Sequence, residues 1–279
     1  MRAARGISRQ LMLAAAFAAA AAVGAVADTE PVSPDADLTV REITAALFKA
    51  KPGERLDYSN HDLTYLDLAG LDFKGAMLAN SDLYGTDFTG ANLKGTDLSH
   101  TRLNRSVLIR ADLSGANLTG ATIFRPTVYS DLSQNLADAP RFAGADMRSV
   151  RVMANLSGAD FRGANMENID FSPLEARPGQ GTITSLMKNV LKSCDFSGAN
   201  LHHANFDRAD LTFARFVGAD LREANLAQTD LSKTDFSGAD LTGADMTDAN
   251  LYGANLTGAK GLDTVKGLAT AVNADKAVR

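Results

Sequence analysis

Residues 194–223 read CDFSG-ANLHH-ANFDR-ADLTF-ARFVG-ADLRE, which is one pattern written six times in blocks of five. Each block begins with Ala or Cys, continues with Asp, Asn or Arg, and has Leu or Phe in third place. A helix returns to one face every 3.6 residues and a strand every two, so neither keeps a period of five on one side. The stretch therefore predicts a repeat architecture in which every block supplies one short side of a coil.

The same period covers most of the chain and predicts its core. Large apolar residues, here called centres, recur at every fifth position from Leu63 to Ile123 and from Leu191 to Leu256. Residues two apart on an extended segment point the same way, so each centre and the small residue two positions before it should face inward. Cys194 takes that small position and is expected to be a buried substitute for Ala rather than a reactive thiol. The predicted structural core includes Leu93, Leu113, Phe196, Leu221 and Leu241.

Two further blocks match a known motif closely, since residues 91–95 read ANLKG and residues 239–243 read ADLTG. Through this A-(D/N)-L-x-x motif, about two thirds of the chain resembles the pentapeptide-repeat family. The resemblance implies an all-β solenoid, namely a right-handed quadrilateral β-helix with about twenty residues per coil. With seven less regular centres between the two runs, the 34 centres correspond to about eight to nine coils.

The first residues are typical of an export signal. Within residues 1–27, three arginines precede an Ala-rich apolar stretch, and Ala25-Val26-Ala27 is a small-x-small cleavage site. A membrane anchor is the alternative, but the apolar stretch 11–26 is short for a hydrocarbon core of ~30 Å. We therefore expect a signal peptide at 1–27 and a periplasmic or secreted bacterial protein exported by a Sec-type signal. Cleavage would leave 25 basic and 33 acidic side chains, a net charge of −8 that argues against direct nucleic-acid binding.

The β-helix is expected at 54–258, between a linker with a capping helix at 28–53 and a tail or second capping helix at 259–279. Caps are expected because the terminal coils of a solenoid expose strand edges and apolar residues. The first helix should cover 36–50, where apolar residues recur at helical spacing before a Pro-Gly pair. The tail carries apolar residues at similar spacing.

Two breaks interrupt the repeat, near 124–131 and near 172–184, and the register slips by one residue within 152–156. Phe171 and Leu191 lie twenty residues apart, which is one coil's length, so the second loop is expected to bulge from one turn without loss of phase. Interruptions of a rigid scaffold often carry function, although many insertions are neutral.

No catalytic, cofactor-binding or metal-ligating constellation is evident in the sequence, which predicts a non-enzymatic protein without cofactors. His202 and His203 take the two outward positions after the centre Leu201, where adjacent residues diverge in direction, so they are expected to be solvated surface residues. No Cys or carboxylate cluster completes a tetrahedral zinc site beside them in the sequence.

Charge is uneven along the repeat. Residues 102–162 contain eight arginines, no lysine and five aspartates, whereas the flanking repeats are acidic. Arginine suits bidentate binding of carboxylate or phosphate, so this window could bind an anionic partner. The alternative is that these arginines serve as counter-charges for neighbouring acidic coils. The candidate patch comprises Arg102, Arg105, Arg110, Arg125, Arg141, Arg148 and Arg151.

These observations favour an exported β-helical scaffold for binding a protein or an anionic polymer, present as a monomer or an end-to-end dimer. No later apolar run is long enough to make it an integral membrane protein. The family resemblance implies one alternative, a DNA-mimicking inhibitor or protector of the type II topoisomerase gyrase. An export signal argues against that alternative, because gyrase acts in the cytoplasm.

Overall fold

A computed structural model describes residues 36–131, 133–174 and 188–279, all within the compact unit Ser33–Arg279. The predicted signal peptide at 1–27 lies outside the described residues. The elements with several consecutive residues are short: helix α1 (Val40–Lys49), strands β1 (Thr122–Phe124) and β2 (Arg151–Met153), and 3-10 turns at Leu136–Asp138 and Ala274–Lys276. Strands β1 and β2 pair in parallel, with Ile123 opposite Val152. Most of the remaining backbone alternates single parallel bridges with tight corners.

Those bridges form four ladders, one for each side of a quadrilateral coil. We number the sides by their first residues, so that side 1 begins at Asp57, side 2 at Asp62, side 3 at Asp67 and side 4 at Asp72. In regular parts each residue pairs with the one twenty positions later. Along side 1 the paired residues are Asp57, Met77, Asp97, Asn117, Asp146, Asn165, Asn200, Asp220, Asp240 and Lys260. These define ten levels, and the predicted quadrilateral arrangement is confirmed.

The centres point into the coil and stack from level to level. The five predicted core residues are fully buried, at 0% exposure, namely Leu93, Leu113, Phe196, Leu221 and Leu241. On side 4 a column of parallel phenylalanine rings has successive centroids 4.7 to 5.2 Å apart, formed by Phe142, Phe161, Phe196, Phe216 and Phe236. Each buried Leu or Phe side chain contributes about 1.5–3 kcal/mol through removal of apolar surface from water.

Cys194 lies in this core, as its position in the repeat predicts. Its Sγ donates a hydrogen bond to the carbonyl oxygen of Leu156 at 3.1 Å. Burial raises the pKa of the Cys194 thiol to about 12, so the thiol stays protonated at neutral pH. Because the thiolate is the reactive form, this cysteine fills space and is not a nucleophile.

Helix α1 caps the first coil, as predicted for residues 36–50. Thr39 and Glu42 form a capping box at its start, and Ile43 and Leu47 bury the apolar face of the helix. Lys74 then donates from Nζ to the carbonyl oxygens of Leu47 and Ala50, at 2.7 and 3.1 Å, so the last turn of the helix is tied to the first level of side 4.

The C-terminal segment does not form the helix that its apolar spacing suggests. It makes a tenth coil with sides of six residues, in which Lys260, Lys266, Val272 and Val278 pair with the preceding level. The spacing that resembles a helix arises because each longer side half-buries an apolar residue. Together with a first level that begins at Asp57, this coil brings the total to ten rather than the predicted eight to nine.

Glycine allows the last coil to close against the one before it. Gly261 and Gly267 occupy positions where earlier levels carry large centres. A Cβ on Gly261 would lie 2.5 Å from the Cα of Thr242, and one on Gly267 would lie 2.4 Å from the Cα of Thr247. Both glycines have positive φ, near 71°, which other residues adopt reluctantly. The tenth coil thus covers the end of the core by close backbone approach.

Candidate functional site

Three departures from the twenty-residue coil occur beside side 3. On side 4, Asp112 pairs with Arg141, twenty-nine residues later, so the fourth level contains nine extra residues. Arg141 then pairs with Asp160, nineteen later, which is the expected slip of one residue. On side 3, Asn155 pairs with Val190, thirty-five later, so a second insertion of fifteen residues precedes side 3 of the sixth level.

The breaks differ in detail from their predicted positions. Thr127 still pairs in register with Val107, so the first insertion lies after Thr127 rather than at 124–131. In the second break, residues 175–184 of the predicted loop lie outside the described residues. The five-residue phase is kept, as expected, but Asp170 and Val190 belong to consecutive sides. The twenty-residue step from Asp170 to Val190 therefore replaces one five-residue step between neighbouring sides and not a whole coil.

A cavity of about 520 Å³ opens where these irregular levels meet. It runs along the corner between sides 2 and 3, from the fourth to the sixth level. Its lining comprises Arg125, Pro126, Met153, Ala154, Asn155, Lys188 and Val190. Met153 and Ala154 are buried, while Arg125 and Lys188 add positive charge. The cavity therefore combines apolar walls with two cations, of which Lys188 has its Nζ 3.6 Å from Asp210 Oδ2.

The wall of the cavity is fixed by the buried amide of Asn189. The N–H of Ala154 donates to its Oδ1 at 2.7 Å, and its Nδ2 donates to the carbonyl oxygens of Val152 and Phe171 at 3.0 and 2.6 Å. Asn189 thus takes the place of backbone hydrogen bonds that the nineteen-residue coil and the second insertion interrupt. It stands two residues before the centre Leu191, where most blocks have Ala, Ser or Thr, and an amide at this inward position could have identified the site from sequence.

The first insertion is held by a second polar cluster. Asp138 accepts hydrogen bonds from the backbone N–H of Ser130 at 3.1 Å and from its Oγ, and these bonds lower the pKa of Asp138. Arg110 Nη1 lies 3.5 Å from Asp138 Oδ1, and the Arg110 N–H donates to the Asp138 carbonyl oxygen. Tyr129 donates its hydroxyl to the carbonyl oxygen of Ser157 at 2.7 Å. These contacts give Arg110 a structural role.

Ion pairs occupy several other members of the predicted arginine patch. Arg102 and Arg151, on side 2, pair with Asp82 and Asp170. Arg141 on side 4 and Arg148 on side 1 pair with Asp112 and Asp146, at 2.9 and 2.7 Å. The patch is therefore spread over several sides, and for these residues the counter-charge interpretation describes the geometry.

The ion pair between Arg141 and Asp112 belongs to a cluster of donors that lowers the pKa of the Asp112 carboxyl. Burial alone would raise the pKa of Asp112, but hydrogen bonds from Ser114 and contacts with Lys94 and Arg141 outweigh it and lower the pKa to about 2. Because this pKa is below that of an unfolded aspartate, the stabilisation is complete above about pH 4 and is lost as the pH falls through about 2. The donors around Asp112, with Ser114 first and Arg141 among the smaller contributors, therefore stabilise the fold near neutral pH.

Arg105 and Arg125 remain together, at the corner that contains the cavity. They occupy consecutive levels, since the Arg105 N–H donates to the carbonyl oxygen of Phe124 and the Arg125 N–H to that of Met153, at 2.8 and 2.7 Å. Within residues 36–131, 133–174 and 188–279, no ion pair is observed for Arg105. Lys188, outside the arginine-rich window, joins the cavity only because the second insertion returns the chain to side 3, and the sequence window could not reveal this.

The two adjacent histidines are closer than predicted. The ring centroids of His202 and His203 lie 3.9 Å apart, because His203 has a φ of 56° and turns its side chain to the same side as that of His202. The expectation that these two adjacent side chains diverge was therefore wrong at this corner.

Over the described parts of the chain, helices are too short and too polar to cross a bilayer.

A family model described as pentapeptide repeats matches eight copies in this chain, at residues 62–95, 87–123, 154–172, 190–222 and 219–258. The unmatched stretches within this span, 124–153 and 173–189, contain the insertions. No curated protein sequence matches the chain.

Several solved structures are similar. HetL, a pentapeptide repeat protein involved in heterocyst differentiation regulation in the cyanobacterium Nostoc sp., is 26% identical over 86% of this chain and 94% of its own, with a TM-score of 0.43. Full-length QnrB1, a plasmid-mediated fluoroquinolone resistance protein, is 20% identical over 71% of this chain and 92% of its own, with a TM-score of 0.33. A pentapeptide repeat protein from the Arabidopsis thaliana thylakoid lumen is 32% identical over 37% of this chain and 65% of its own, with a TM-score of 0.29.

Proposed function

The chain belongs to the pentapeptide-repeat family, whose fold is the right-handed quadrilateral β-helix, and on that premise we propose that it is an exported, non-enzymatic scaffold that binds an acidic protein segment. The binding site is the cavity at the corner between sides 2 and 3. The observation that carries the proposal is that the register slip and the second insertion both fall at this corner, on consecutive levels, while the first insertion lies at the other end of side 3. Regular levels repeat the same surface, so the irregular levels are where the scaffold can be specific.

The lining chemistry supports an acidic segment as the partner. Arg125 and Lys188 offer positive charge, and a guanidinium binds a carboxylate through two parallel hydrogen bonds. Pro126, Met153 and Val190 provide apolar surface for the side chain beside that carboxylate. Arg105 extends the positive charge by one level along the same corner.

We expect that replacing both cavity cations, by Arg125→Asn and Lys188→Gln, lowers affinity for poly-L-glutamate at least tenfold, because two charge-assisted contacts are lost. Asn is chosen at 125 because it tolerates the positive φ of 52° there. Binding is measured by fluorescence anisotropy with labelled poly-L-glutamate at low salt.

The matched control is the double variant Arg148→Gln and Arg162→Gln. It removes the same net charge from the fifth level, between the levels of Arg125 and Lys188, and from exposed residues that pair with Asp146 and Asp160 on other sides. It should bind poly-L-glutamate within about twofold of the wild type. An equal loss in both double variants would show that only net charge matters and would remove the site from this corner.

Export is a separate part of the proposal, supported by the pattern of residues 1–27. We expect osmotic-shock fractionation of bacterial cells to release a protein whose N-terminus is Asp28, as measured by intact-mass spectrometry. Recovery of the full-length chain in the cytoplasmic fraction would contradict export.

A further inference from the structure

We propose that His202, His203 and Glu223 form a binding site for one divalent transition-metal ion of the zinc class. Each residue offers one ligand atom, and the three atoms all lie within 4.8 Å of one another. Two imidazole nitrogens and a carboxylate oxygen are a donor set that zinc prefers. The site lies at the corner after side 1, on the seventh and eighth levels.

The corner geometry brings the ligands together. The positive φ of His203 places its ring beside that of His202, and Glu223 has the same type of backbone conformation one level later, with a φ of 57°. His203 Nδ1 lies 3.6 Å from Glu223 Oε2. On the other side of the pair, His202 Nδ1 lies 3.9 Å from Glu167 Oε1, so a second carboxylate is close to the site.

The backbone that supports these side chains is fixed by the ladder. The His203 N–H donates to the carbonyl oxygen of Arg222 at 3.1 Å, and the Glu223 N–H donates to that of Thr242 at 2.9 Å. Zinc–nitrogen and zinc–oxygen distances are about 2.0–2.2 Å, so tetrahedral ligand atoms need to approach to about 3.3 Å. The side chains of His203 and Glu223 are 43% and 62% exposed, and can make this movement without disturbing the core.

The surrounding charges permit a cation here. A cavity of about 700 Å³ lined by His202, Arg222 and Glu223 gives access from solvent. Two cationic side chains, Arg222 and Lys266, also line the cavity, and the Arg222 guanidinium pairs with Asp220 at 2.6 Å. Glu167 and Glu223 together match the charge of a divalent ion. The fourth position would hold Glu167 or water.

The test uses the tag-free protein lacking residues 1–27 and Zn²⁺ in isothermal titration at pH 7.5. We expect one ion per chain with micromolar affinity. A second readout is the melting temperature, which should rise with Zn²⁺ because the ion binds the folded state.

His100 supplies a matched control. It occupies the corner after side 1 on the third level, with a φ of 58° against 56° at His203. We expect His203→Asn to weaken Zn²⁺ binding more than tenfold and to abolish the rise in melting temperature, whereas His100→Asn changes neither. Asn preserves the positive φ in both variants. Unaltered binding in His203→Asn, equal loss in His100→Asn, or no saturable binding below 100 μM Zn²⁺ would each overturn the proposal.

Discussion

Leu221→Asp is expected to destroy the stacking of the last three levels. Leu221 is fully buried on side 1, between the centres Leu201 and Leu241. Loss of a buried leucine costs about 2–5 kcal/mol, and an unpaired buried carboxylate adds several more. The sum is comparable with the whole stability of a typical domain, about 5–15 kcal/mol. We expect the variant to be insoluble, or to lose residues 219–279 to trypsin within minutes under native conditions, as followed by mass spectrometry.

Leu221→Met is the control for that experiment, since methionine already occupies the same column at Met147 and Met166. It preserves volume and apolarity, so its free energy of unfolding should lie within about 1.5 kcal/mol of the wild type. If Leu221→Asp unfolded at the same urea concentration as Leu221→Met, the inward stacking of centres would be wrong at this level.

The core could be predicted from sequence because one rule governs every level. A period of five leaves each large residue in the same place on its side, so Leu93 and Leu241 required no knowledge of their partners. The N-terminal helix was predictable for a similar reason, since Thr39 and Glu42 are a local capping signal. Local and periodic information was sufficient for these parts.

The site depends on relations between levels that no local pattern contains. Arg125 and Lys188 meet because a slip and the second insertion change which residues are neighbours at the corner between sides 2 and 3. His202 and His203 meet because a corner replaces strand geometry by a positive φ. In the tail, an apolar spacing of three residues fits both a helix and a coil with six-residue sides. The positive φ and close backbone approach at Gly261 and Gly267 favour the coil.

Replacing the buried amide at 189 is the second change with a large expected effect. Asn189→Ala should fit, because Ala209 fills the same position one level later. It would leave the N–H of Ala154 and the carbonyl groups of Val152 and Phe171 without the partners they have in the structure. Each buried unsatisfied group costs about 1–3 kcal/mol, so we expect a loss of about 3–5 kcal/mol in the free energy of unfolding, measured by urea denaturation.

Ser106→Ala is the control that tests whether the loss of stability in Asn189→Ala comes from the hydrogen bonds that Asn189 makes across the irregular levels. Ser106 also stands two residues before a centre and is fully buried, but its hydroxyl donates only to the carbonyl oxygen of Leu103, at 2.8 Å within the same turn. Its removal should cost about 1 kcal/mol. Asn189→Asp should be worse than Asn189→Ala despite its nearly identical shape, because it places a carboxylate against two carbonyl oxygens. Equal unfolding midpoints for Asn189→Ala and Ser106→Ala would mean that the irregular levels are held together without this amide, and that the cavity wall owes its position to other contacts.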